Sequence, residues 1–116
     1  MLTREQKKNR KIWVEALRSG KYKRTTNAMV RLAPSGPRFC CLGVAAHVLD
    51  PRPWEVCGGG RRCVVSGLSL AFLDKIGLEI VGMSRDQQHL LAQLNDNGMT
   101  FSRIADQIDA WTKEGR

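Results

Sequence analysis

Five side chains in this sequence carry the donors of a metal or thiol site. Cys40 and Cys41 stand side by side at the head of the apolar run RFCCLGVAAHVLD, and His47, Cys57 and Cys63 follow. A structural zinc site takes its sulfurs from pairs separated by about two to four residues, because a tight knuckle aims both at one point. Here nothing separates Cys40 from Cys41, and five residues separate Cys57 from Cys63. Adjacent residues in regular structure point apart, so a zinc site would need one cysteine of the first pair, His47 and the later cysteines to converge. A vicinal disulfide is strained. Cys57 and Cys63 are spaced to face each other across a hairpin, and a reducing compartment would keep them as thiols. A nucleophilic cysteine needs a base beside it. His47 comes six residues after Cys41, nearly two helical turns, and His89 falls in an amphipathic stretch as a surface or boundary residue. The reading that asks least of these residues is packing: Cys40 and Cys41 are expected to be small buried apolar groups. No catalytic residue, metal ligand or cofactor is expected.

Two further patterns invite chemistry. CGGGRRC (57–63) offers glycine N–H groups and the forks of Arg61 and Arg62 to an anion. It lacks the spacing of a nucleotide-triphosphate loop, so it is expected to act at most as an anion-contacting hairpin tip. LLAQLNDNGMTFSRIADQI (90–108) resembles the opening of a helix-turn-helix, but no recognition helix follows and Asp106 and Asp109 would repel phosphate. Those two aspartates are expected to be solvated, and Asp96 to be a turn residue.

Charge is the stronger signal. The chain has 19 basic and 11 acidic residues, a net charge of +8. Residues 1–31 hold ten of the basic and two of the acidic ones, so the remainder is neutral and the whole excess lies in the first quarter. Such asymmetry points to an anionic partner. The residues expected to meet it are Lys7, Lys8, Arg10, Lys11, Lys21, Lys23 and Arg24, with Arg61 and Arg62 in support.

The elements that must position these groups follow from caps and periodicity. With 116 residues, a single domain over 1–116 is expected. Thr3 with Gln6 forms a capping-box pattern, Ile12, Trp13, Ala16 and Leu17 share a face, and Gly20 closes the helix. KYKRTTNAMVRL (21–32) is expected to be extended, APSGP (33–37) a turn, and a short strand ending near Phe39 completes a hairpin. The run from Cys41 to Leu49 is apolar all round, as in a central buried helix. Two short strands flank the glycine loop, and Ser69 starts a short helix closed by Gly77. Ser84 with Gln87 caps a helix burying Leu90, Leu91 and Leu94. Thr100 caps a last helix with Phe101, Ile104, Ala105, Ile108 and Trp111 inward. The fold class is therefore α+β, mostly helical, with about five helices and one or two small β-hairpins. No apolar run approaches the ~20 residues of a membrane span, and the charged beginning is not a secretory signal. A cytoplasmic location is expected.

Three segments, WVEALRSGKY (13–22), FCCLGV (39–44) and LNDNGMTFSRIADQI (94–108), resemble a family of short bacteriophage and prophage proteins. Members of that family often carry a third cysteine and an acidic residue where this chain has Ala46 and His47. The resemblance implies a small phage protein acting in the bacterial host cytoplasm, of the kind that includes inhibitors of host defence such as anti-CRISPR proteins. Combined with the charge, it leads to the expectation of a non-enzymatic binding protein that occludes a host protein or ribonucleoprotein surface. The alternatives are direct nucleic-acid binding and sequestration of a small anionic nucleotide.

Overall fold

The computed structural model describes residues 2–25, 30–33, 36–49, 56–57, 61–62 and 77–116, with the backbone alone at 30–33, 37, 56–57 and 61–62. The elements in chain order are α1 (Arg4–Arg18), β1 (Lys23–Arg24), β2 (Val30–Ala33), β3 (Gly36–Phe39), α2 (Cys41–Leu49), β4 (Val56–Cys57), β5 (Arg61–Arg62), α3 (Arg85–Asp96) and α4 (Phe101–Lys113). The fold is α+β and mostly helical, as the periodicity indicates.

Three helices begin where their caps stand. The Thr3 hydroxyl accepts from the Gln6 N–H and the Gln6 side chain accepts from the Thr3 N–H, both at 3.0 Å. Ser84 and Gln87 repeat this reciprocal pair at 3.1 and 2.9 Å. The Thr100 hydroxyl accepts from the Arg103 N–H at 3.3 Å. Each cap satisfies amide groups that the first turn leaves without partners.

Helix α2 is the centre of the molecule. Its residues from Cys41 to Ala46 are all buried, and α1 and α3 pack against it. Helix α4 closes the other side of α1 and also touches α3, burying Ile104, Ala105, Ile108 and Trp111. Each fully buried Leu or Ile side chain in this core contributes about 2 kcal/mol of apolar transfer. The short strands form a three-stranded sheet in the order β1-β3-β2 and a separate β4–β5 hairpin. β2 and β3 pair antiparallel from Val30↔Phe39 to Ala33↔Gly36, and β1 adds in parallel with Lys23↔Arg38.

Several expectations need correction. Gly36 and Pro37 belong to β3 rather than to a turn. The inward face of α1 is Arg10, Trp13, Val14 and Leu17, while Ile12 is 38% exposed. Those four positions follow the i, i+3, i+4, i+7 spacing of one helical stripe, rotated so that α1 meets α2 and α4 together. In α3 the buried residues are Gln88, Leu91 and Asn95; Leu90 is exposed and Leu94 only half-buried. Two polar side chains enter the core there and bond to backbone, although the buried Gln88 Oε1 has no hydrogen-bond partner among the described residues. Gln88 donates to the Met83 carbonyl at 2.9 Å, and Asn95 holds α2, as described below. The helix expected from Ser69 lies outside the described residues; residues 77–80 after it make a π-helical turn.

Candidate functional site

The cysteine pair resolves into packing with two distinct jobs. Cys40 precedes α2 and takes the N-cap position: its Sγ accepts from the Gly43 N–H at 3.3 Å, where a hydroxyl or carboxylate oxygen usually serves. Cys41 lies wholly within the core. Its carbonyl accepts from the Trp13 indole N–H at 2.9 Å, its N–H donates to Asn95 Oδ1 at 3.2 Å, and its Sγ lies 3.6 Å from the Leu91 carbonyl. Asn95 Nδ2 in turn donates to the Thr25 carbonyl at 2.9 Å. Trp13, Cys41 and Asn95 therefore form one hydrogen-bonded node joining α1, α2 and α3. Desolvation pushes the Cys40 thiol up to about 11, against a smaller pull from the Gly43 and Leu42 amides, and also raises Cys41 well above its ordinary value. Neither is a thiolate near neutral pH, so neither is poised as a nucleophile.

His47 packs in a ring cluster, 5.7 Å from Tyr22 and 5.1 Å from Phe39 between centroids. Among the described residues no group of three His, Cys, Asp or Glu side chains is placed to hold a metal ion. In the β4–β5 hairpin Cys57 pairs with Arg61 and Val56 with Arg62. Cys63 and the side chains of Arg61 and Arg62 lie outside the described residues.

The cations divide into those the fold uses and those it leaves at the surface. Arg10 is a correction: expected at the surface, it is 1% exposed. Its Nε donates to the Val81 carbonyl at 2.7 Å, one terminal nitrogen to the Gly82 carbonyl at 2.8 Å, and the other to the Thr112 hydroxyl at 3.1 Å. Gly82 presents that carbonyl from a left-handed conformation, φ +62°, where an added Cβ would meet the Gln6 and Leu2 side chains at 2.7 Å. Burial lowers the Arg10 guanidinium from its ordinary value to about 10. None of its three acceptors is charged, and among the described residues it makes no ion pair.

Arg24 is half-buried and donates to the Asn95 carbonyl at 2.8 Å, in the last turn of α3 where the helix dipole favours a cation. This withdraws Arg24 from the set free to meet a partner. Arg18 bridges Asp106 at 2.6 Å and Asp109 at 2.9 Å. Hydrogen bonds to Asp106 and then Asp109 raise its pKa. The two aspartates are thus ligands of Arg18, not merely solvated charges.

Lys7, Lys8, Lys11, Lys21 and Lys23 are exposed, as expected. Successive helical residues advance by about 100°, so Arg4, Lys7, Lys8 and Lys11 fall within about one quarter to one third of the α1 circumference, bordering its buried stripe on the Lys7 side. Among the described residues none of the four makes an ion pair. Glu15 interrupts the face one turn beyond Lys11. Two members were not foreseen. Arg4 could have been found from its i, i+4 spacing to Lys8. Lys113, at the end of α4, lines a groove with Lys7 and Lys11; only the packing of α4 on α1 brings it there.

Residues 5–52, which span α1, the three-stranded sheet and α2, match the family described as a domain of unknown function, DUF8296. No curated protein and no solved structure matches the chain. No helix among the described residues is long and apolar enough to cross a membrane.

Proposed function

We propose that this chain is a non-enzymatic binding protein that docks through the cationic face of α1 onto an anionic surface and acts by occluding it. One observation carries the reading. Arg4, Lys7, Lys8 and Lys11 are all exposed on one arc of α1 without an ion pair among the described residues, while Arg10, Arg18 and Arg24 are engaged elsewhere in the fold. Exposed, unpaired ammonium groups steer encounter with an anionic surface at long range. The sequence resemblance to phage-encoded proteins supports, as the target, a host complex with an acidic or nucleic-acid-bearing surface, such as a CRISPR effector in the bacterial cytoplasm.

The experiment compares the tagged wild-type chain with Lys7→Glu/Lys8→Glu/Lys11→Glu and with Lys7→Arg/Lys8→Arg/Lys11→Arg in bacterial lysate, identifying captured partners by mass spectrometry. The reversed variant is expected to lose the partner and the arginine variant to keep it. Equal capture by all three contradicts docking through α1.

A further inference from the structure

Helices α1 and α4 run antiparallel, since Arg10 meets Thr112 while Arg18, two turns later, meets Asp106 and Asp109. Between them lies a groove of about 520 Å³. Its two ends differ in charge. At one end the Arg18–Asp109 pair is closed on itself, with Glu15 beside it. At the other end stand Lys7 and Lys11 from α1 and Lys113 from α4, with no carboxylate paired to any of them among the described residues.

Arg10 lies beneath that cationic end and lines the same groove. A buried charge is ordinarily paired or neutralised, because an uncompensated ion in low dielectric is costly. Arg10 has hydrogen bonds but no counter-charge: its acceptors are two carbonyls and a hydroxyl. The Thr112 hydroxyl is also committed, donating to the Ile108 carbonyl at 2.8 Å. Because Arg10 lines the groove, an anion held there lies near its uncompensated charge.

The chemistry of the lining selects among anions. Three ammonium groups are compact point charges with three donors each, and their combined charge favours a multivalent oxyanion such as phosphate over a singly charged one. Among the described residues no aromatic ring lines the groove, so they offer no platform on which a base could stack. We propose that the Lys7–Lys11–Lys113 end of the α1–α4 groove is a phosphate-binding site, recognising the phosphate rather than the base of a nucleotide or nucleic acid, with Arg10 supplying positive potential from below. This deepens the docking reading and rests on it in part, because Lys7 and Lys11 serve both; Lys8 belongs to the face but not to the groove.

The test is a 1H–15N titration of the full chain with sodium pyrophosphate at low ionic strength, against sodium chloride matched in ionic strength. A second arm uses a short single-stranded oligonucleotide, which separates a free polyphosphate from a phosphodiester backbone as the source. Saturable shifts are expected at the amides of 7–11 and 112–113. Lys11→Gln and Lys113→Gln are each expected to weaken pyrophosphate binding about fivefold, the loss of one partly exposed charge contact, with Lys8→Gln changed less than about twofold. Absence of saturation, or a loss from Lys8→Gln equal to that from Lys113→Gln, overturns the site. If pyrophosphate fails while the oligonucleotide still binds through Lys7, Lys8 and Lys11, the groove site falls and the docking reading stands. If pyrophosphate saturates the groove while reversal of Lys8 leaves every polyanion and captured partner unchanged, the site stands and docking by the wider face falls.

Discussion

Replacing Arg10 tests how α1, the 81–82 turn and α4 are held together. Its guanidinium binds the Val81 and Gly82 carbonyls and the Thr112 hydroxyl at 2.7–3.1 Å. Arg10→Met keeps the apolar stem and removes the cost of burying a charge, but leaves two buried carbonyls without a donor. Each orphaned acceptor costs about 1–3 kcal/mol, so a loss of about 2–4 kcal/mol is expected after the relief of desolvation. Arg10→Lys retains a charge that can reach only some of the acceptors and should lose about 1–3 kcal/mol by the same reasoning. Arg10→Ala adds a cavity and should cost about 3–5 kcal/mol, a large part of the ~5–15 kcal/mol typical of a domain. Urea unfolding followed by tryptophan fluorescence and by far-ultraviolet circular dichroism measures all three. If Arg10→Met were as stable as the wild type within about 0.5 kcal/mol, the carbonyls would not depend on the guanidinium and the clamp would be refuted.

Four further outcomes follow from other contacts of the fold. Asn95→Ala removes the acceptor of the Cys41 N–H and the donor to Thr25, and is expected to cost about 2–3 kcal/mol in urea unfolding; Asn95→Asp restores only the acceptor and should recover part of that loss at most. In a Cys57→Ser/Cys63→Ser background, Cys40 and Cys41 should react with a thiol reagent at pH 8 only as fast as the protein unfolds. Because burial raises Cys40 to about 11 from an unfolded value near 9, the native state holds its proton over that interval; stability is fully present below pH 9 and should decline as pH rises from about 9 to 11. Arg18→Ala breaks two exposed ion pairs and should cost less than about 1 kcal/mol, shrinking further in high salt.

The parts of the fold read correctly from sequence are those decided within a few residues. Thr3 with Gln6 and Ser84 with Gln87 place two helix starts because both partners of each cap lie within one turn. The all-apolar run from Cys41 to Leu49 marks the central helix because no polar face is available for water. The inward positions of α4 follow from its spacing alone. What sequence could not give is the use of polar groups by distant backbone. Arg10 looks like one more surface cation until Val81, Gly82 and Thr112, distant in the chain, come to meet it. Asn95 looks like a turn residue, yet it holds the first amide of α2. Arg18 and its two aspartates are recognisable as partners only once α1 and α4 lie antiparallel. The cationic set changed for the same reason: Arg10 and Arg24 left it, and Lys113 entered.

The most direct measurement of the central claim is the salt dependence of polyanion binding. A fluorescent duplex is titrated at several sodium chloride concentrations with the wild type, with Lys7→Gln/Lys8→Gln/Lys11→Gln, and with Lys21→Gln/Lys23→Gln. If the α1 face does the docking, the triple variant loses affinity and its slope of log K against log salt becomes shallower by about 2–3, near 0.9 for each lost phosphate contact; the double variant stays closer to the wild type in both. An unchanged slope and affinity in the triple variant, or a larger loss in the double variant, would contradict docking through α1.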